Sequence, residues 1–128
     1  MSQRRARIAA VLAFVIGALA VVAGGLVLGG WQPGYTVIGW LPVYNLGAGL
    51  VGCALAVFVF WPGRSESRWA ALVLLGAHAI VALTLVIGYR GVVAPDSLVA
   101  MAIRLVVGGV VAALIWPNSG HTQASRPA

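Results

Sequence analysis

Apolar residues fall into four long runs along this chain, separated by short breaks rich in proline, glycine and arginine. The first run is roughly Ile8 to Gly30, the second Val43 to Trp61, the third Trp69 to Tyr89 and the fourth Ser97 to Trp116. Each is close to the ~20 residues that carry a helix across a ~30 Å hydrocarbon core. A membrane strand needs only ~10 residues and alternates apolar with polar, which none of these runs does. The pattern predicts an all-α integral membrane protein, with four transmembrane helices in an up-down-up-down bundle over residues 1–117. Residues 118–128, "NSGHTQASRPA", are expected to form a disordered cytoplasmic tail.

The breaks carry consistent punctuation. Pro33-Gly34 and Pro42 bracket the first connection, and Pro62-Gly63 follows the second run directly. Asp96 or Ser97, just after Pro95, is expected to cap the fourth helix by accepting from its free N–H groups. All five tryptophans, Trp31, Trp40, Trp61, Trp69 and Trp116, fall at span ends, as do Tyr35, Tyr44 and Tyr89. Rings with an apolar body and one polar edge favour the headgroup level, so they mark both waterlines. The connection "WQPGYTVIGWLP" is uncharged and too apolar for an ordinary exposed loop. It is expected in the outer interface, roofing a pocket or touching a partner.

Composition agrees with this partition. The chain has 128 residues, 62% hydrophobic and 8% charged, against about a quarter charged in soluble domains. Such a chain cannot cover itself with polar surface, and a lipid bilayer removes the need. The net charge of +6 comes from eight arginines against two acidic residues, and all the arginines but Arg104 lie at or beyond the ends of apolar runs rather than along one polar face. No nucleic acid partner is therefore expected. Arg4, Arg5, Arg7, Arg64, Arg68 and Arg126 all fall on one side of a four-span chain, while the other side holds Arg90, offset by Asp96. The positive-inside rule then places both termini in the cytoplasm, with the chain in a bacterial inner membrane. The N-terminal run has the basic start of a signal peptide, but it continues to Gly30, beyond an ordinary h-region, and reads as a retained span.

Small residues recur at helical spacing. Ala13, Gly17, Ala20 and Gly24 mark the first span, and Ala48, Gly49, Gly52 and Ala56 the second. In lipid, close backbone approach over small side chains does much of the work of helix association. Spans one and two are thus expected to form the tightest pair. The same stripes would also serve another membrane protein or a second copy of the chain.

Four polar residues within the spans are candidates for function: Asn45, His78, Thr84 and Arg104, with Tyr44 beside Asn45. At 1.5 Å per residue, Arg104 lies about 10 Å and Thr84 about 8 Å from the outer ends of their spans, with His78 near mid-membrane. A guanidinium near the bilayer centre costs roughly 2.5–3.5 kcal/mol on insertion scales. No carboxylate lies within any span to offset it. Arg104 therefore either snorkels outward, bonding Asn45 or carbonyls, or serves as an anion-binding point for a ligand headgroup or a partner's carboxylate. His78 is expected to bond across to another helix, since Thr84 is six residues away on a different face. Thr84 most simply bonds its own helix carbonyl, and Met101 packs.

Several chemistries are disfavoured. A metal centre needs several ligands, and no second His, Cys, Asp or Glu is embedded at the depth of His78. No cofactor is predicted, with haem on His78 as the alternative. Cys53 stands alone, which excludes an internal disulfide and a CxxC cluster. The chain resembles small multidrug exporters in size and span count, but its first span lacks their embedded glutamate. It also lacks the cysteine pair of vitamin K epoxide reductase-like enzymes, and no serine sits inside a span facing His78. Its general look is that of small four-span bacterial membrane proteins. Three functions stay open. A non-catalytic subunit docking on itself or a larger complex is favoured, because loops are minimal and packing glycines abundant. The alternatives are a binder or transporter of a small amphipathic or anionic ligand around Arg104 and His78, and a His78-dependent redox or lipid-modifying enzyme.

Overall fold

The computed structural model describes residues 2–116, and the expected tail over 118–128 lies outside them. Four helices follow one another: α1 (Gln3–Leu28), α2 (Leu41–Leu55), α3 (Ser67–Leu83) and α4 (Pro95–Ile115). A π-helical turn extends α2 over Ala56–Phe60 and α3 over Thr84–Gly88. All four elements are long and apolar enough to cross a membrane, as a small multi-pass membrane protein requires.

The helix starts sit a few residues before the apolar runs, and the reason is local. Ser2 caps α1, its hydroxyl accepting from the Arg5 N–H at 3.3 Å. The helix therefore takes in its arginines, which favour helix as well as most apolar residues do. Pro42 lies within the first turn of α2, where its missing N–H costs nothing. The expectation that Asp96 or Ser97 caps α4 is corrected. Its cap residue is Ala94, no side chain bonds there, and Pro95 opens the helix. Asp96 instead sits in the first turn, where a carboxylate complements the helix dipole.

Two helix ends close on glycine. The N–H of Gly30 bonds to Val27 and that of Trp31 to Leu26, with Gly30 at φ +102°. Gly63 (φ +68°) bonds to Phe60 and Arg64 to Val59 in the same pattern. This double bond needs a left-handed residue just past the helix, which only glycine adopts without strain. The sequence break at Pro62-Gly63 is thus a helix stop built on its glycine.

α1 and α2 make the closest pair. A Cβ at Gly17 would meet the Gly49 carbonyl oxygen at 2.8 Å, and one at Gly24 would meet the Pro42 oxygen at 2.5 Å. Gly49 returns the contact on Gly17 at 2.6 Å. Only hydrogen fits at these crossings, so the backbones touch. Gly52 and Ala56 are buried and Ala48 half-buried along the same helix. α4 packs against both α1 and α3, whereas α2 and α3 barely meet.

Two core clusters lie along the bundle. One joins Ala9, Ala10 and Ala13 of α1, Ala56 and Phe60 at the end of α2, Ala71 of early α3, and Val111 and Ile115 of late α4. The other joins Ile38 and Leu41 ahead of and opening α2, Leu85 at the end of α3, and Met101 of early α4. Outside these clusters the helices present apolar side chains, such as Val73 at 72% and Ile87 at 74% exposure. An apolar outer surface of that extent needs lipid, not water, around it.

Candidate functional site

Depth decides which polar residues can meet. His78 lies ten residues before the end of its span at Gly88, and Arg104 nine residues after the start of α4. Both are therefore about 14–15 Å inside. Each is buried, with only 7% of its surface exposed. Asn45 and Tyr44 lie in the first turns of α2, about 5–6 Å in.

Arg104 resolves its burial by reaching toward Asn45. Its Nη1 donates to the Asn45 Oδ1 at 2.5 Å, tying α4 to α2. The long stem lets the charged head meet a polar group nearer the start of α2. His78 meets Tyr44 in the same layer, with 2.5 Å between the Tyr44 hydroxyl and Nδ1. The two rings stand edge to face at 5.9 Å and 87°. When the hydroxyl donates, the imidazole holds its own proton on Nε2. So α2, which hardly packs on α3, is joined to it by this polar bond.

An outer ring of aromatics holds the pair in place. Trp40 Nε1 donates to the Tyr89 hydroxyl at 2.8 Å. Trp40 also stacks on Tyr44 in a T-shape at 6.5 Å and on Tyr89 at 6.0 Å. Tyr89 follows α3, so the connection between α1 and α2 is clamped to the α3 end. The "WQPGYTVIGWLP" connection is thereby split: Ile38 and Leu41 pack inward, while Trp31 and Tyr35 stay exposed. Trp40 and Tyr89 read from sequence as waterline markers only. Only for Trp40 did spacing hold a signal, since it lies four residues before Tyr44 and shares a helix face with it.

Below this layer all four helices line a partly open cavity of about 40 Å³. Its wall is apolar or small, including Ala13, Gly17, Ala20, Gly49, Gly52, Leu75 and Val111, with His78 and Arg104 as its polar members. That volume holds a water or a small polar head. Among the described residues, no hydrogen bond engages His78 Nε2 or the Nε and Nη2 of Arg104. No fully buried side-chain nitrogen or oxygen goes without a bond, so these edges stay within reach of a water-sized group. Both hydrogen-bonded residues, Tyr44 and Asn45, act from outside the cavity to orient the two that line it.

Thr84 is not part of this assembly. It is exposed, opens the π turn at the end of α3 and donates to its own Ile80 carbonyl at 2.8 Å. Six residues from His78, it points to a different side. Among the described residues no group of three His, Cys, Asp or Glu side chains could hold a metal. Cys53 packs at α1, its thiol 3.7 Å from the Phe14 carbonyl.

Two residues at the other end were read differently from sequence. Ser67 is fully buried, although no serine was expected inside a span. It opens α3 and donates to Val59 at 3.1 Å, a carbonyl in the π turn of α2. It lies eleven residues from His78, about 16 Å along the helix, too far for a nucleophile and its base. Arg5 was read only as an orientation signal. Its Nη2 donates to the Ala113 carbonyl at 2.9 Å, satisfying one of the free carbonyls at the end of α4. No protein-family model matches this chain, nor does any curated protein or solved structure.

Proposed function

We propose that this protein is a non-catalytic inner-membrane binder of a small amphipathic molecule with an acceptor head, carboxylate or carbonyl, held between Arg104 and His78. One observation carries the reading: two buried donors, each oriented from outside by a partner on α2, share one otherwise apolar cavity. The free guanidinium edge donates, and His78 Nε2 does so in the tautomer in which Tyr44 donates to Nδ1, so the complementary group accepts. Arg104 brings a charge with no acidic residue in the cavity wall, which favours an anion. The ligand's apolar body leaves between α2 and α3, where the helices hardly touch.

The up-down-up-down order, with both termini cytoplasmic, belongs to the same proposal. It is supported by the two core clusters, each joining the beginning of one helix to the end of the next. It is also supported by the arginine bias of the sequence. The site then faces the outer half of the membrane.

An accessory subunit docking through its small-residue stripes and Arg104 has less support. Gly17, Gly24 and Gly49 are taken up between α1 and α2, and Arg104 is turned inward to Asn45. For His78, a cavity of about 40 Å³ favours a small head over a haem macrocycle.

The test uses the full chain in lipid nanodiscs, with oleate as the probe and native mass spectrometry as the readout. Arg104→Gln is expected to weaken oleate retention by tenfold or more, a loss of about 1.4 kcal/mol, with helix content unchanged. Thr84→Val is expected to retain it. Equal retention by wild type and Arg104→Gln removes the proposal.

A further inference from the structure

A second lipid-facing feature lies at the arginine-rich end, on the opposite half of the bundle from Arg104. A groove of about 260 Å³ runs between α1 and the π turn of α2, lined by Val11, Phe14, Val15, Ala56, Val57 and Trp61 among wholly apolar walls. The π turn contributes both Ala56 and Val57, and such turns bulge a helix locally. Over the Trp61 ring, which closes one end of the groove, sits the guanidinium of Arg7 at 5.4 Å from the centroid.

The helix register continues this arrangement. Arg4, Arg7, Val11 and Phe14 follow at spacings of three and four, so two cations and then an apolar strip share one face of α1. All four are exposed. Arg5, by contrast, is committed to the Ala113 carbonyl and points elsewhere. The described acidic residue of this end, Glu66, lies in the connection ahead of α3 and is not a groove residue.

We infer that this groove is a binding site for an anionic phospholipid of the same leaflet. An acyl chain lies along Val11, Phe14 and Val57. The Trp61 indole sits at the headgroup level, and the phosphate rests against Arg7 and Arg4. Cations at the waterline attract acidic headgroups, and a guanidinium already held over a ring is pre-oriented for phosphate oxygens. A zwitterionic lipid fills the same apolar groove but brings its own cation toward the two arginines, so it is held less well.

The site is tested on the full chain in mild detergent by native mass spectrometry, titrating phosphatidylglycerol against phosphatidylcholine of the same acyl chains. Wild type is expected to keep one phosphatidylglycerol through activation energies that strip phosphatidylcholine. Each neutralised arginine is expected to weaken that preference about fivefold, so Arg4→Gln with Arg7→Gln brings the two lipids level. The Arg4→Lys, Arg7→Lys pair keeps the charge and is expected to keep most of the preference, which separates lipid binding from loss of fold or orientation. Val57→Trp fills the groove and is expected to remove the retained lipid altogether. Equal retention of both lipids by wild type, an undiminished preference in the glutamine pair, or a dimer that Val57→Trp dissociates would each overturn the assignment. The last result would give the groove to a second copy.

Discussion

Arg104 carries a full charge through a stretch of bundle that is otherwise apolar, and Asn45 is what makes that tolerable. The amide oxygen accepts from Nη1 at 2.5 Å, and among the described residues no fully buried side-chain polar atom goes unbonded. Removing one member of such a pair is worse than removing both, because the survivor keeps its desolvation penalty. Asn45→Leu is therefore expected to destabilise the bundle by about 1–3 kcal/mol, and the Asn45→Leu, Arg104→Leu double variant to regain most of it. Helix loss against added sodium dodecyl sulfate, followed by far-ultraviolet circular dichroism, measures both. A single variant as stable as wild type would show that Arg104 finds water instead. Much of this site was legible in the residues. One cation, one histidine and one asparagine stood out because lipid makes every such group expensive. Their pairings were not legible, because Arg104 had Asn45, carbonyls and water all within its reach.

At the scale of elements, the α1–α2 pair rests on glycine and the α2–α3 pair on side-chain bonds. Gly49 has no room for a methyl group: its Cβ would fall 2.6 Å from the Gly17 oxygen and 2.8 Å from the Val21 nitrogen. These are backbone atoms, which cannot rotate aside. Gly49→Val is expected to cost roughly 1–3 kcal/mol and to part α1 from α2 at their crossing. Gly25→Ala serves as the contrast, since nothing lies within 4 Å of its would-be Cβ. It is expected to be neutral or stabilising by up to ~1 kcal/mol. Equal responses at the two positions, in the same detergent unfolding experiment, would deny that backbone contact holds the pair. Spacing alone marked Gly17, Gly24 and Gly49 as packing residues. The π turns at Ala56–Phe60 and Thr84–Gly88 left no trace in composition. In the first of them the Val59 carbonyl accepts from Ser67 at the start of the next helix, a contact that composition does not record.

At the scale of the whole molecule, the bundle is polarised. Arg5 ties the start of α1 to the end of α4, and Arg7 and Arg68 stack on Trp61 and Trp69 at 5.4 Å each. The opposite end is closed by Trp40, Tyr44 and Tyr89. Compartment-specific reporters fused separately to the two termini are both expected to register in the cytoplasm, and opposite readings would remove the four-crossing topology. The residues alone determined the number of spans and their approximate limits, because the bilayer imposes one length and one polarity profile on any chain that crosses it. They also singled out Arg104 and His78 by the same cost. Only the tertiary structure decided that Tyr44 and Asn45 hold these two from outside, that Thr84 faces away, and that the donors share a cavity. Those outcomes depend on helix rotation and on which helices touch. Rotation is set by close packing over glycine and by a few directional bonds between distant residues, and periodicity along one helix does not encode either.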